Sequence, residues 1–398
     1  MKKQRIITRT ILIVSLVSLF TDVASEMLYP VMPVYLRSIG FSVLLILILE
    51  GIAEATAGLS KGFFGNLSDK HHKRLPFVQW GYAFSAISKP LMAIFVYPLW
   101  IFFARTLDRF GKGVRTSARD ALLSDETTKE NKAKVFGFHR SLDTVGAAIG
   151  PVIALIYLYF YPENYKWLFI IAFFPGLLAI TLTFFIKEKK KEVLPESKQK
   201  VNFLSYLKYW KKAPKMYKRL VAGMLMFTLF NSSDALLLLN LKYNGFSDIQ
   251  MIGFYIFYNL VYALLSYPAG VLADKIGMKK IIVIGLAIFA IVYFFMGFAT
   301  SFIVFGILFF FYAFYAASTE SIAKAWITNI SDKSETATAI GFFTSFSSIL
   351  TFLASTFAGL LCFYFSPMVT FVVSGVGVGL VVIFIIFFVN DRSIKQKS

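Results

Sequence analysis

The sequence has 398 residues, of which 57% are hydrophobic and 16% are charged. This composition excludes an ordinary soluble domain, in which about 25% of residues are charged. The formal net charge is +19, but the position of the cations argues against nucleic acid as the partner. They crowd the N-terminus, the 70–74 loop, the 187–219 segment and the tail, whereas the loops near 97–98, 299–301 and 366–367 carry none. By the positive-inside rule, this alternation predicts a membrane protein with both termini in the cytoplasm.

Apolar stretches of membrane-spanning length recur from end to end, so we expect an all-α membrane protein with twelve transmembrane helices. The predicted spans are approximately 8–36, 43–65, 75–97, 99–122, 135–160, 167–186, 220–242, 248–272, 279–299, 301–324, 337–364 and 368–389. Basic residues followed by Ile11–Phe20 have the layout of a signal peptide, but Asp22 and Glu26 interrupt the cleavage region. We therefore expect the first helix to be retained. The single cysteine, Cys362, excludes an internal disulfide.

A long polar segment, 187–219, divides the spans six from six. We predict a six-helix bundle over 1–186, a cytoplasmic basic linker over 187–219 and a second six-helix bundle over 220–398. Within the linker, Phe203, Leu204, Leu207 and Trp210 are spaced to form a short interfacial helix with lysines on its other side.

The two halves share a repeated loop. Gly65-Asn-Leu-Ser-Asp69-Lys70 follows the second span, and Gly270-Val-Leu-Ala-Asp274-Lys275 follows the eighth. Each copy precedes further cations, which include Arg74 in the first and Lys279 in the second. The repeat indicates an internal duplication. An aspartate just before a helix start can cap the free backbone N–H groups there, and this is the role we expect for both aspartates.

These motifs resemble those of the major facilitator superfamily. The segment 270–280, including Gly277, matches the loop signature G-x-L-a-D-r-x-G-r-k, whereas the first copy has His72 where the family usually has glycine. The fourth span, 105–113, resembles the pattern R-x-x-x-G-x-G-x-G, with Arg109 in place of the first glycine. The element 146–151, GAAIGP, resembles one that is common in exporters but lacks the glycines that usually follow. The stretch FGFHRSLDTVGAAIGP looks like a bacterial permease branch whose substrate is unassigned.

The resemblance implies two pseudo-symmetric six-helix bundles that rock around a central cavity. It also implies a monomeric protein of the cytoplasmic (inner) membrane, without a cofactor or a metal. In this family the repeated loop stabilises one of two access states, so we expect state control from the loop residues Gly65, Asp69, Arg74, Gly270, Asp274, Gly277 and Lys279. We find no phosphate-binding glycine loop, no HExxH and no Cys/His pair at zinc spacing, and therefore do not expect an enzyme.

The fourth span carries a charged stripe. On a helix, Arg105, Asp108, Arg109, Lys112, Arg115 and Arg119 fall within an arc of about 120°. The opposite side is apolar. Such a helix fits a bilayer only if its charges face water or a protein-lined interior.

Charges on the other spans of the first half extend this stripe. Asp22 and Glu26 lie one turn apart on the first span, and Glu50 and Glu54 show the same spacing on the second. We predict proton coupling or a cavity role for the charges Asp22, Glu26, Glu50, Glu54, Arg105, Asp108, Arg109, Arg140 and Asp143. The alternative is a set of fixed ion pairs that lock the bundle. For residues near the inner end we predict a cytoplasmic gate, formed by Arg115, Arg119, Glu320 and Lys324.

The second half is rich in tyrosine and amide side chains instead of charges. We predict a substrate cavity lined by Tyr29, Asn231, Asp234, Tyr255, Tyr258, Asn259, Tyr262, Tyr312 and Tyr315. Tyrosines with polar partners suit an organic molecule that has an apolar body and polar groups. Hydrogen bonding between helices is the alternative role for each of them.

The leading hypothesis is a secondary transporter that moves a small solute by alternating access, coupled to protons or to sodium, and directed towards efflux. A solute importer or a lysolipid flippase on the same fold is the alternative, ahead of a membrane receptor, channel or enzyme. We expect Asp22→Asn and Arg105→Ala to leave the protein folded but to abolish gradient-driven transport.

Overall fold

The computed structural model describes residues 6–188, 202–232 and 234–389. The predicted cations before residue 6, the linker residues 189–201 and the cations after residue 389 lie outside these ranges. Within the described ranges the regular structure is helical and contains no strand.

The described residues form fifteen α-helices and two short 3₁₀ turns, at Lys129–Asn131 and Ser205–Lys208. The α-helices are α1 (Arg9–Glu26), α2 (Met32–Ser38), α3 (Val43–Lys70), α4 (Leu75–Ile94), α5 (Pro98–Asp125), α6 (Lys132–Phe160), α7 (Tyr165–Thr183), α8 (Tyr209–Lys212), α9 (Lys215–Phe230), α10 (Ala235–Tyr243), α11 (Asp248–Ile276), α12 (Met278–Met296), α13 (Phe302–Ile330), α14 (Thr336–Tyr364) and α15 (Pro367–Phe388).

Ten of the twelve predicted spans correspond to one helix each. The first and the seventh are broken, which corrects the prediction of continuous helices over 8–36 and 220–242. The first span divides into α1 and α2, and Pro33 in the first turn of α2 cannot donate the hydrogen bond that would continue the helix. The seventh divides into α9 and α10 between Phe230 and Ala235, and the short polar side chains of Asn231, Ser232 and Asp234 there favour local turns over helix.

Seven helices in the described part of the chain are long and apolar enough to cross a membrane, namely α6, α7 and α11 to α15. α3 and α5 have the length but carry charges along it. Such helices can span a bilayer only where their polar face is covered by protein or water.

Contacts divide the chain into two compact units. The first unit comprises Met1–Thr128, Leu142–Lys212 and Asp332–Ser348; the second comprises Lys129–Ser141, Ala213–Ser331 and Ile349–Ser398. The beginning of α14 therefore belongs to the first unit, and the beginning of α6 belongs to the second. The division at 187–219 that the sequence suggests stays a prediction.

The core of the first unit surrounds α2. Tyr35 and Leu36 are buried there, and the Tyr35 ring meets that of Phe169 on α7 at 4.8 Å between centroids. The Tyr35 hydroxyl donates a 3.2 Å hydrogen bond to the carbonyl of Met92 in the last turn of α4. The short helix after the break thus packs as part of the bundle.

The linker segment contacts the first unit through aromatic residues, and a 3₁₀ turn and one α-helical turn stand where the sequence predicts a short interfacial helix. Tyr206 and Tyr209 are buried, and the Trp210 ring stacks on Phe342 of α14 at 5.4 Å. The predicted apolar residues Phe203, Leu204 and Leu207 are exposed. Because the segment contains one 3₁₀ turn and a single turn of α-helix, its side chains do not follow the spacing of a continuous helix.

Candidate functional site

A buried ion-pair network joins three helices of the first unit. Arg105 on α5 binds Glu50 on α3 through two hydrogen bonds, of 2.8 Å from Nε and 2.9 Å from Nη2. The same guanidinium approaches Asp108 at 3.5 Å, and Asp108 accepts a 2.6 Å hydrogen bond from Lys89 on α4. Two cations and two anions balance one another, which offsets the cost of removing each charge from water. Lys89, Arg105 and Asp108 are buried, and the Glu50 side chain at the edge of the network is 35% exposed. We call Glu50, Lys89, Arg105 and Asp108 the buried quartet.

Lys89 is a member of this network that sequence reasoning missed. It is 2% exposed and also donates a 3.3 Å hydrogen bond to Ser25 on α1. A signal was available: a single lysine stands in the middle of an otherwise apolar span, where an ionisable residue requires a partner.

The end of α5 that follows the buried quartet carries two further arginines with protein partners. Arg115 donates a 2.6 Å hydrogen bond to Ser85 and stacks over the Tyr82 ring at 4.6 Å. Arg119 binds the adjacent Asp120 and Ser18 of α1. Ser18 in turn donates to the carboxylate of Asp143 on α6. The first unit thus ties α1, α4, α5 and α6 together through side-chain hydrogen bonds.

A second set of charges in the first unit remains reachable by solvent. Asp22, Glu26 and Glu54 are half-buried, and Tyr29 and Lys112 are exposed. All three carboxylates act electrostatically on the Lys112 ammonium. These five residues, on α1, α3 and α5, form what we call the accessible cluster.

The repeated loop gives the same contact in both units. In the first, the Asp69 carboxylate accepts hydrogen bonds from the backbone N–H groups of Ala337 and Thr338, at 3.3 and 2.5 Å. In the second, Asp274 accepts from the N–H groups of Ala133 and Lys134, at 3.1 and 2.8 Å. Each carboxylate therefore caps a helix N-terminus, where free N–H groups and the helix dipole favour a negative charge.

The capped helix is not the one that the sequence suggested. Asp69 and Asp274 lie in the last turn of α3 and α11, not before the start of the next helix. They cap α14 and α6, which are distant in sequence. Just before α14, Ser334 donates two hydrogen bonds to Asp332 and lowers the pKa of that carboxyl.

The glycines of the repeat permit these contacts. A Cβ atom at Gly65 would overlap the carbonyl oxygen of Ala337, and one at Gly270 would overlap that of Ala133. Each glycine lies one helical turn before its aspartate, so the two helices meet backbone to backbone. Gly277 serves a different purpose, because its φ of 103° is a conformation that favours glycine.

The predicted basic residues of the two loops have different partners. Arg74 is 2% exposed, forms an ion pair with Asp69 and lies 3.6 Å from Asp125. Lys279 donates to the carbonyl of Ile386 at the end of α15, where a cation complements the helix dipole. The first copy of the loop is thus embedded in ion pairs, and the second makes backbone contacts.

The second unit contains an aromatic cluster on α11, α12 and α13. The Tyr312 ring lies 5.1 Å from Tyr258 and 5.3 Å from Tyr315, centroid to centroid. Tyr293, which sequence reasoning missed, is fully buried against this group. At the break between α9 and α10, Asp234 accepts a 2.7 Å hydrogen bond from the Tyr312 hydroxyl. Most of the predicted cavity tyrosines therefore lie together.

Two other predicted residues near this cluster, Asn231 and Asn259, have identified side-chain partners. Asn231 donates a 3.1 Å hydrogen bond to the hydroxyl of Tyr315. Asn259 donates at 2.9 Å to the carbonyl of Tyr255 within its own helix, which is neither a cavity contact nor the hydrogen bond between helices stated as the alternative role. Tyr255 is half-buried.

Arg140 on α6 belongs to the second unit by its contacts. It donates a 2.6 Å hydrogen bond to the Tyr262 hydroxyl, lies 5.0 Å above that ring, and forms a 2.5 Å ion pair with Glu320 on α13. The sequence suggested Lys324 as the neighbour of Glu320 in a gate; Lys324 is half-buried one turn further along α13.

No group of three or more His, Cys, Asp or Glu side chains in the described part of the chain is arranged to hold a metal ion.

The protein has long apolar helices, two broken spans, and charged groups at the interfaces between helices. Together these features define a polytopic membrane protein of the transporter class. The family model of the Major Facilitator Superfamily matches residues 14–257 and 235–398. An uncharacterised MFS-type transporter of Methanocaldococcus jannaschii is 31% identical over 390 residues, which cover 94% of each chain. The chain belongs to the major facilitator superfamily, as its motifs predicted.

More remote comparisons agree with the fold. The sialic acid transporter NanX of Escherichia coli is 22% identical over 267 residues, covering 65% of this chain and 63% of that protein. The Escherichia coli fucose:proton symporter has a TM-score of 0.77 at 12% identity, over 97% of this chain and 100% of that one. A human organic anion transporter has a TM-score of 0.75 at 16% identity, over 95% and 99%. The predicted fold class, an all-α membrane protein with the fold of this superfamily, is confirmed.

Proposed function

We propose that this transporter moves a small solute by alternating access and couples the movement to protons. The observation that carries the proposal is the accessible cluster. A carboxylate within a membrane helix costs several kcal/mol in its charged form unless it is hydrated or paired. Asp22, Glu26 and Glu54 are reachable by water and lie close to one cation, so a change in access changes the free energy of protonating them.

The repeated loop supports a mechanism with two access states. Asp69 and Asp274 hold the first turns of α14 and α6 by hydrogen bonds. Such non-covalent contacts can break and form again. We propose that both caps form in one access state and are released in the other. Arg140 and Glu320 form an exposed ion pair on the second unit, and we assign them to the same change of state.

The direction of transport rests on the resemblance of 146–151 to an exporter element. The same glycines also serve packing: a Cβ at Gly146 would overlap the Leu19 carbonyl of α1, and one at Gly150 would lie 2.7 Å from the Met27 nitrogen. We propose efflux on the basis of this resemblance alone. Solute import and lysolipid flipping are the alternatives that the experiment must separate.

The test is transport by the purified full chain in proteoliposomes. Candidate solutes come from a thermal-stability screen that includes sialic acid, fucose and lysolipids, because a ligand of the folded state raises the melting temperature by mass action. Labelled solute is then followed under imposed pH and sodium gradients of either direction. We expect flux to follow the pH gradient and to be lost in Asp22→Asn, while the exposed control Glu163→Gln transports normally.

The outcomes separate the hypotheses. Flux that ignores both gradients would refute coupling, and accumulation only in symport with protons would replace efflux by import. Movement of lysolipid between leaflets, without flux of any water-soluble solute, would favour the flippase. Normal coupled flux in Asp22→Asn would remove that carboxylate from the mechanism.

A further inference from the structure

Five cations line the stripe of α5, and the protein satisfies three of them. Arg105 binds Glu50 and Asp108, and Arg119 binds Asp120 and Ser18. The third, the Arg115 guanidinium, is held by a serine hydroxyl and by an aromatic ring. Their partners explain why these three charges persist inside a membrane helix.

The remaining two cations, Arg109 and Lys112, differ. Neither side chain has a hydrogen bond or an ion pair among the described residues. The Nε atom of Arg109 is buried and has no hydrogen-bond partner there. The Nε of Arg115 is also without a hydrogen-bond partner, so Arg109 differs in that none of its guanidinium nitrogens has a partner among the described residues. A buried guanidinium donor that is left unsatisfied costs about 1–3 kcal/mol or more, which favours a partner from outside the chain.

Their placement suits an anion. The two residues are three apart on α5, so their side chains leave the helix on the same face. Arg109 is half-buried, and Lys112 is exposed, so a solute can reach both side chains. A guanidinium fork and a compact ammonium side by side recognise a carboxylate or a phosphate group.

We propose that Arg109 and Lys112 bind the anionic group of the transported solute, so that the substrate is an organic acid or a phosphate ester. The inference rests on the transport function proposed above and specifies its substrate class. Glu54, Asp22 and Glu26 supply the opposite charge to Lys112 when no solute is bound. A bound anion competes with these carboxylates for Lys112 and takes their place as its partner.

A simpler role would be to neutralise Glu54, because both Arg109 and Lys112 act on its carboxylate. The two roles make different predictions for a double variant. If Lys112 only balances Glu54, then removing both charges together restores the wild-type behaviour. If Lys112 binds the solute, then Glu54→Gln does not rescue Lys112→Gln.

The experiment measures ligand-dependent melting of the purified full chain with matched pairs of probes. Sialic acid is compared with its methyl ester, and glucose 6-phosphate with glucose; inorganic phosphate and acetate complete the panel. We expect at least one acid to stabilise the wild type and its neutral counterpart not to do so. Arg109→Gln and Lys112→Gln should each weaken acid binding by about 10- to 100-fold, as expected for the loss of a charge-assisted hydrogen bond. Lys166→Gln, at an exposed lysine of α7, is the matched control and should bind normally.

Four results would overturn the proposal: equal stabilisation by acid and neutral probe, unchanged acid affinity in both variants, rescue of Lys112→Gln by Glu54→Gln, or no stabilisation by any anion of the panel. Whether the carboxylate or the phosphate probe binds identifies the class of anion. A failure of the transport proposal gives a different result. The acid then binds through Arg109 and Lys112, but no gradient-driven flux is measured in proteoliposomes.

Discussion

The two units share their repeated loops but differ in what fills their interiors. The first buries ionised side chains, with the quartet of Glu50, Lys89, Arg105 and Asp108 at its centre. The second buries neutral aromatic rings, with Tyr293 and Tyr312 among them. Duplication has kept the helix-capping contact in both units while their interiors have diverged.

The difference matters because charges and rings stabilise a fold in different ways. A buried ion pair gains little net stability when intact but leaves an uncompensated charge when one partner is lost. A substitution in a cluster of packed rings removes some van der Waals contacts but leaves no uncompensated charge. Substitutions in the first unit should therefore have larger effects than substitutions of similar size in the second.

The largest expected effect is that of Arg105→Ala. Its loss leaves Glu50 without its partner and Asp108 with Lys89 alone, so we expect a loss of about 3–5 kcal/mol in the free energy of unfolding. The sequence predicts only that the variant stays folded, and the structure adds a loss of stability, because one guanidinium binds two carboxylates. Thermal unfolding in detergent measures the effect, with Lys166→Ala as the exposed control.

The buried quartet can be tested further with Lys89→Met. Since Lys89 and Arg105 share Asp108, the effects of Lys89→Met and Arg105→Ala should not be additive in the double variant. Additive losses, or wild-type stability in either single variant, would contradict the network.

The next effect concerns the contact that the units share. Gly65→Ala and Gly270→Ala place a Cβ atom against a backbone carbonyl, which cannot rotate away as a side chain can. We expect each to cost about 1–3 kcal/mol in unfolding free energy, as overpacking does. Gly253→Ala is the matched control, because its Cβ would have no neighbour within 4 Å and alanine favours the helix. Equal effects at all three positions would show that helix propensity alone is being measured.

A smaller effect should separate the two aspartates. Loss of an N-terminal cap costs about 0.5–2 kcal/mol. Asp69→Ala should cost more than this, because Asp69 also binds the hydroxyl of Thr338 and forms a buried ion pair with Arg74, which then keeps only Asp125, at 3.6 Å, as an ion-pair partner among the described residues. Asp274→Ala removes two backbone contacts only.

Hydrogen exchange at the capped amides measures this difference directly. Exchange of Ala337 and Thr338 should accelerate in Asp69→Ala, and exchange of Ala133 and Lys134 should accelerate in Asp274→Ala. Acceleration at the start of the helix that follows each aspartate in sequence would instead support the capping that the sequence suggested.

The sequence predicted what periodicity and local motifs encode. Ten spans, the repeated loop and the family follow from hydrophobic patterns and short-range spacing. The partners of charged residues do not, because the quartet pairs residues on three different helices and Asp69 caps a helix that begins 267 positions later. A lone lysine in an apolar span indicates that Lys89 has a partner, but the sequence does not show that this partner is Asp108 on another helix.

The smallest expected effect lies in the second unit. Tyr312→Phe removes the hydroxyl that donates to Asp234 at 2.7 Å but keeps the ring in its cluster. Asp234 is half-buried at a helix break, so water can replace the lost donor, and we expect a cost of about 0.5–1.5 kcal/mol in unfolding free energy. Tyr243→Phe, at an exposed tyrosine, should have no effect. A loss as large as that of Arg105→Ala would mean that the second unit also depends on a charged interaction at its centre, and the contrast between the two interiors would then no longer hold.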